Sequence, residues 1–450
     1  MKTFTTPDLP FAPINGKKVS ARFDDPAVSS DGGALLLREV DSQIGLCERL
    51  AKSIADGRRQ SHVDHRIVDL LRQRAYQISC GYEDANDCDA LRDDPAIMAA
   101  VGRDPVEGGA LGSQPTMTRL ENAVTVRDLL KLGYAFVDQF IASYDRAPRM
   151  IVLDMDPTAD TVHGGQQLAL FNAYEDEYCF MPFHVYEGQS GKLVASVLRS
   201  GKTPTAKEIL GVLKRIVRRV RATWPEVEIV FRADSHHTKP EVMEWLEARG
   251  IQFITGLTPN RRLAAIFEAD IRSAEKKYRE QRQVGRPVRA YASRLYAAQS
   301  WSRARRVVCR IQVSPQGTDV RCVVTSFRTA GATYLYDVVY CGRGKMELMI
   351  KDHKVALRSD RTSCHRKEAN QFRLFIHSAA YVLLHALRAN LLKGSELAHA
   401  QFDTIRLRLL KIGARMQAGR TFLRFHFPTS CPTQDILMRA SSILAALNTT

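Results

Sequence analysis

Over residues 33–145 the apolar residues of this chain recur at helical spacing, and at Met150 the period changes. That change bounds the fold more tightly than any other feature of the sequence. ALLLREVDSQIGLCERL, HRIVDLLRQRAYQI and RDLLKLGYAFVDQFIASY place an apolar residue every third or fourth position. The links between them, such as CGYEDANDCDALRDDP and GRDPVEGGALGSQPT, carry the Gly, Pro, Asp and Asn of turns. Met150-IVLDMD-Pro157 is instead a short aliphatic run suited to a buried strand. Extended stretches follow at Leu168–Asn172, Cys179–Tyr186 and Leu193–Arg199. A basic helix over Thr205–Ala222, a strand Val227–Ala233 ending at Asp234, a helix Pro240–Arg249 and a strand Gln252–Leu257 complete an alternation. The pattern predicts a mixed α/β sheet with an antiparallel opening. Tyr334–Tyr340 reads as a further strand, and long helical patterns run from Lys345 to about Leu392.

Charge selects the partner. Against 49 Asp and Glu stand 65 Lys and Arg, a formal net charge of +16, which draws phosphate backbones or anionic surfaces. Residues 261–328 hold 16 Lys and Arg against 5 Asp and Glu, so more than half of the surplus sits in about a sixth of the length. No uninterrupted apolar run approaches a membrane span; the nearest, Phe375 to Leu392, contains His377, His385 and Arg388. The first residues lack the apolar region of a secretory signal. Nine cysteines without CxxC or zinc-like spacing read as reduced thiols of a cytoplasmic protein. No phosphate-binding P-loop is present, so no nucleotide cofactor is expected. Nucleic acid is therefore the leading partner. The expected organisation is a helical DNA-binding region over 1–145, a catalytic core in two parts at 146–258 and 336–398, a basic β-rich insertion at 259–335 between them, and a helical tail at 399–450.

Three carboxylates sit where chemistry is usually placed. Asp156 and Asp234 close strands, and Glu347 opens a helix. Two hard divalent cations need carboxylate oxygens converging from several chain segments. Held about 3.5–4 Å apart, such ions activate the attacking oxygen and stabilise the leaving one in phosphodiester displacement. On position alone each residue is as readily turn chemistry. Spacing adds information: Tyr340, two residues, Arg343, three residues, Glu347, six residues, Lys354. This reproduces the Tyr-Arg-Glu-Lys signature of one large group of insertion-sequence transposases. Asp156-Pro157-Thr158 resembles that group's Asp-x-Thr element, and Arg232-Ala233-Asp234-Ser235 its second acidic element. With HGGQQLALFNAY (163–174), SQPTMTRLEN (113–122) and SSDGGALLLRE (29–39), the chain resembles insertion-sequence family thirteen-eighty, over most of its length. His236-His237 departs from the pattern, where a small and an aromatic residue would follow Ser235.

The resemblance implies an RNase H-like core with Asp156, Asp234 and Glu347 as catalytic residues and metal ligands. They would hold two Mg²⁺ ions, with Mn²⁺ able to substitute. It implies cleavage at terminal inverted repeats, strand transfer into target DNA, and a homodimer on double-stranded DNA. A β-rich insertion before Glu347 is implied as well. The separations agree independently: 78 residues from Asp156 to Asp234, but 113 from Asp234 to Glu347.

Other side chains carry two readings each. Glu347, Lys351 and Lys354 share a helix face, either as a phosphate-binding stripe or as a solvated one. Arg343 is a bidentate phosphate contact or a loop cation. Tyr340, at a strand end, contacts DNA or fills the core. Arg119 has base-reading chemistry on a helix that is as readily structural. Arg303, Arg305 and Arg306 surround Trp301, which stacks a base or packs a hairpin. Asp154 shares a strand face with Asp156 and so supports a metal ligand from behind. Two rival readings remain: a metal-dependent nuclease that does not join ends, and a non-catalytic DNA-binding regulator.

Overall fold

A computed structural model describes residues 8–281 and 285–447. They fall into two compact units. The larger comprises Asp41–Val63 and Thr118–His385. Its centre is an eight-stranded sheet of β1 (Met150–Pro157), β2 (Phe183–Glu187), β3 (Leu193–Val197), β4 (Glu228–Ala233), β5 (Gln252–Leu257), β6 (Val288–Tyr296), β7 (Arg305–Ser314) and β8 (Gly317–Thr325). In space the order is β6-β7-β8-β5-β4-β1-β2-β3. β1, β4 and β5 are parallel, whereas β1-β2-β3 form an antiparallel meander. Ile151–Met155 and all of β2 are buried, so neither strand alternates between buried and exposed residues.

Helices α1 (Val126–Ala142), α2 (Ala206–Thr223), α3 (Pro240–Ala248), α4 (Glu268–Glu280), α5 (Gly344–Lys351) and α6 (Lys367–Ala386) belong to the same unit. α1 and α2 each start with a capping box, Thr125 with Asp128 and Thr205 with Glu208, which satisfies otherwise orphaned amides. The basic helix α2 buries Ile209, Leu213, Ile216, Val217 and Val220, one stripe at helical spacing, and leaves its Lys and Arg outside. Each such side chain contributes about 1.5–3 kcal/mol through burial. Trp224 closes the layer, meeting Phe140 and Tyr144 edge-on at 5.9 and 5.4 Å.

The basic segment does not form a separate layer. Its strands β6-β7-β8 continue the main sheet, because β8 pairs antiparallel with β5. It also opens with helix, Arg261–Ile266 and then α4, whose Ala274 packs on Ile311 and Val313. Cys309 and Cys322 lie directly opposite on β7 and β8 and are bonded, S–S 1.92 Å. This corrects the all-thiol reading: their pairing depends on strand register, which a scan for motif spacing does not test. At the far edge, Gln371 of α6 donates to the Ser196 carbonyl and accepts from the Leu198 amide, covering part of β3.

A second correction concerns Tyr334–Tyr340. It is a wide helical turn, not a strand. Leu335, Tyr336, Val339 and Tyr340 face the apolar cluster of Ile254, Val308 and Val323, while Tyr334 and Val338 are exposed. Positions i, i+1, i+4 and i+5 are a helical set, and the β-branched and aromatic content of LYDVVY masked it.

The smaller unit joins three stretches of chain: up to Val40, Asp64–Met117, and from Ala386 onward. Buried Asp31 accepts from Tyr82 Oη at 2.7 Å and pairs with Lys411 at 2.8 Å. A Cβ on Gly33 would fall 1.9 Å from the Leu409 carbonyl oxygen, so only glycine permits that approach. The SSDGGALLLRE segment is thus a packing motif. Strands add to the expected helices at both ends: a hairpin at Leu9–Ile14 and Lys17–Ala21, and another at Ala414–Gly419 and Phe422–His426.

Candidate active site at the ends of two parallel strands

β1 and β4 pair in register, Met155 beside Ala233, so the next residue of each strand brings Asp156 and Asp234 side by side. Asp234 caps the short turn Ser235–His237, accepting from the His236 amide at 3.0 Å. The ring Nδ1 atoms of His236 and His237 lie 2.8 and 2.7 Å from its two oxygens. His237 is fully buried, its ring centroid 5.7 Å from that of Phe183 and 6.2 Å from that of Phe231. Burial alone would raise the Asp234 pKa, but the His237 hydrogen bond and the fields of His237, His236 and Arg343 hold it well below the usual carboxylate range. Burial pushes Asp156 up to about 6, opposed by Arg343 and reinforced by the charge of Asp234. Arg343 Nη2 stands 2.5 Å from Asp156 Oδ1.

A buried ion pair lies beside the segment that leads to Arg343. Asp154 receives two hydrogen bonds of 2.6 Å from Arg232, whose third nitrogen, Nη1, donates to the Val339 carbonyl at 2.8 Å. β1, β4 and the segment entering Arg343 are thereby tied together. Gly342 lets that segment pass, since a Cβ there would lie 2.6 Å from Arg232 Nη1. Tyr340 ends a helical turn, not a strand, with its hydroxyl against Gly256 beside the Ser235 amide.

Lys354 reaches the loop after β1, donating to the Ala159 carbonyl and standing 3.8 Å from the buried Asp160. Burial pushes Asp160 up to about 8, against the attraction of Lys354 and with the charge of Asp360 adding to the rise. Glu347 and Lys351, however, are exposed. The inward residues of α5 are Met346 and Met349, and a wide turn at Asp352–Ala356 shifts the helical phase before Lys354. Glu347 is thus exposed, while Lys354 is half-buried against the loop after β1. Among the described residues no three His, Cys, Asp or Glu side chains come together as a metal site. Asp156 and Asp234 fit the oxygen chemistry of a hard divalent cation, and Glu347 is not placed with them.

Arg232, Asp160 and the two histidines are contributions that the sequence reading missed. Only His237 left a local signal, as an imidazole three residues after a strand-ending Asp. Buried His184 and His353 lie nearby in a polar layer: His184 Nδ1 meets Ser196 Oγ at 3.1 Å, and His353 Nδ1 meets Tyr186 Oη at 2.9 Å. Burial holds His184 down at about 3, so it is neutral and structural.

The remaining candidates lie elsewhere. Arg119 is exposed on the helix Gln114–Ala123, whose Glu121 is buried against Arg373 at 3.1 Å. Arg303 is exposed, but Arg305 is buried in a two-bond pair with Glu247, at 2.9 and 2.8 Å. Arg306 donates to Ser293 Oγ and to the Phe327 and Arg328 carbonyls. Trp301 packs edge-on against Tyr296 at 5.4 Å, in keeping with hairpin packing. No helix among the described residues is long and apolar enough to cross a membrane.

Paired aspartates at adjacent strand ends, with a neighbouring guanidinium, define a class of site suited to phosphate chemistry on a mixed α/β sheet. The sequence profile described as Transposase DDE domain group 1 matches residues 11–449, and the chain belongs to that family. Comparison with curated proteins returns no match. Among solved structures the chain is similar to the piggyBac transposase synaptic complex with hairpin DNA, at 13% sequence identity and a TM-score of 0.43, over 95% of this chain and 82% of that one.

Proposed function

We propose that the chain is an insertion-sequence transposase that cuts double-stranded DNA at terminal inverted repeats and joins the freed 3′ ends to a target. The observation that carries this reading is the Asp156–Asp234 pair at the ends of parallel strands in a member of a DDE transposase family. The β3-β2-β1-β4-β5 order, three antiparallel strands followed by two parallel ones, supports an RNase H-like core. Asp156 and Asp234 would hold the divalent cation, Mg²⁺ or Mn²⁺, which supplies activation of the attacking oxygen and stabilisation of the leaving one. His236 and His237 fix the Asp234 carboxylate and keep it ionised. Arg343 balances the charge of the pair and is placed to meet a backbone phosphate beside it. Asp154 and Arg232 hold Arg343 in position. A homodimer on DNA and membership of insertion-sequence family thirteen-eighty belong to the same reading.

The exposed position of Glu347 favours a second reading, a regulator that binds DNA without cutting it. One set of measurements separates them. Asp156→Asn and Asp234→Asn are expected to abolish Mn²⁺ binding by the DNA-free protein, followed by electron paramagnetic resonance, whereas Glu347→Gln leaves it. All three are expected to abolish Mg²⁺-dependent nicking of repeat-end DNA. Absence of nicking by the unaltered protein, with tight DNA binding, would support the regulator.

A further inference from the structure

A cleft of about 770 Å³ opens at the start of β5, lined by Arg294, Arg303, Arg305, Arg306 and Arg328 against a single carboxylate, Glu247. Its walls are the end of β8, the start of β7 and the residues Gly250–Gln252. Gln252 is level with Val230, four residues short of Asp234, and β7 lies three strands across from β4. The cleft is therefore roughly 20 Å from the carboxylate pair, at the opposite ends of the strands.

Arg305 gives the cleft a built anion-binding group. Its side chain is only 2% exposed. Nε and Nη2 are taken by Glu247, while Nη1 is buried with no hydrogen-bond acceptor among the described residues. A buried guanidinium N–H left unpaired is costly, so Arg305, which also stands 5.5 Å from the Trp301 ring, keeps one donor to spare in the wall of the cleft. The fork geometry of guanidinium matches phosphate oxygens. Arg303 and Arg328 stand exposed at the rim, and Arg303 also touches Glu247, at 2.5 Å. Glu247 occupies the place a phosphate would take between Arg303 and Arg305. The volume exceeds a single phosphate and the opening is wide, which suits consecutive phosphates of a chain.

We propose that this cleft is a second DNA-binding site, gripping the backbone phosphates of a duplex stretch distinct from the one beside Asp156 and Asp234. The proposal rests on the reading that the chain acts on DNA. The test is fluorescence anisotropy of the full chain with a random-sequence duplex between 50 and 200 mM salt, where each lost phosphate contact removes about 0.9 from the salt slope. Arg303→Ala/Arg328→Ala is expected to lower the slope by about two and to weaken binding about tenfold or more at the low-salt end. Glu247→Gln, which releases two guanidinium groups, is expected to tighten binding several-fold. Slopes unchanged in both variants would overturn the proposal. A native protein that binds no duplex at all would instead overturn the DNA reading beneath it. A thermal shift with inorganic phosphate alone, lost in the double variant while the duplex slope stays intact, would assign the cleft to a small anion and also overturn it.

Discussion

Asp154 and Asp156 point to the same face of β1, yet their partners differ: Asp154 holds Arg232 inside the protein, and Asp156 meets Arg343 at the strand end. Breaking a buried pair leaves the partner charge uncompensated, at a cost of about 3–5 kcal/mol. Asp154→Asn is therefore expected to lose stability on that scale in urea denaturation, and to lose nicking through displacement of Arg343. Stability within about 0.5 kcal/mol of the native protein would detach the pair from both roles. Asp160 carries a pH prediction. Its folded pKa of about 8 lies above the ordinary aspartate value of 3.8, so the folded state favours the protonated acid. The stability this group contributes is complete below the unfolded value and is lost as pH rises through the folded one. Thermal unfolding of the native protein should thus weaken between about pH 4 and 8 relative to Asp160→Asn. Parallel profiles would mean that Asp160 is hydrated. Lys354 and Asp360 are the charged groups acting on it. Asp156 and Asp234 were singled out in the sequence by the Tyr-Arg-Glu-Lys resemblance, since a strand-end position alone reads as readily as turn chemistry. Arg232 was not legible as the partner of Asp154, since 78 residues and a register separate them.

At the scale of elements, legibility followed period and length. The strand Gln252–Leu257 and the helices α2 and α3 lie where apolar spacing put them, because each buries one regular face. Tyr334–Tyr340 was too short for composition to separate two periods, and packing on β7 decided it. The step from α5 to Lys354 was not legible, for a different reason. Spacing arguments assume 100° per residue, and the wide turn beginning at Asp352 breaks that assumption. The edge of β3 carries the third prediction. Gln371 satisfies one amide and one carbonyl there, so Gln371→Ala frees both for another chain. Faster aggregation at unchanged melting temperature, followed by light scattering, is expected. Unchanged aggregation would show the edge to be protected by other means.

At the scale of the molecule, the charge surplus was visible in the sequence and the division of the chain was not. Helical periodicity over 33–145 suggests a unit by itself, but Asp31 needs Lys411, and Gly33 packs on Leu409. Contacts of that kind leave no trace in local pattern. A fragment of residues 1–145 is therefore expected to lack protected amides in hydrogen exchange, and adding a fragment from Ala386 onward should restore some. Independent protection in the first fragment alone would contradict the shared unit. The same partition has a consequence during synthesis. At about 5–20 residues per second, the ribosome takes on the order of ten seconds to a minute to travel from Met117 to Ala386. For that interval the early segments of the smaller unit have emerged without the chain that completes their core. Nascent copies are then expected to present unburied apolar helix faces to chaperones and proteases until the segment from Ala386 onward emerges.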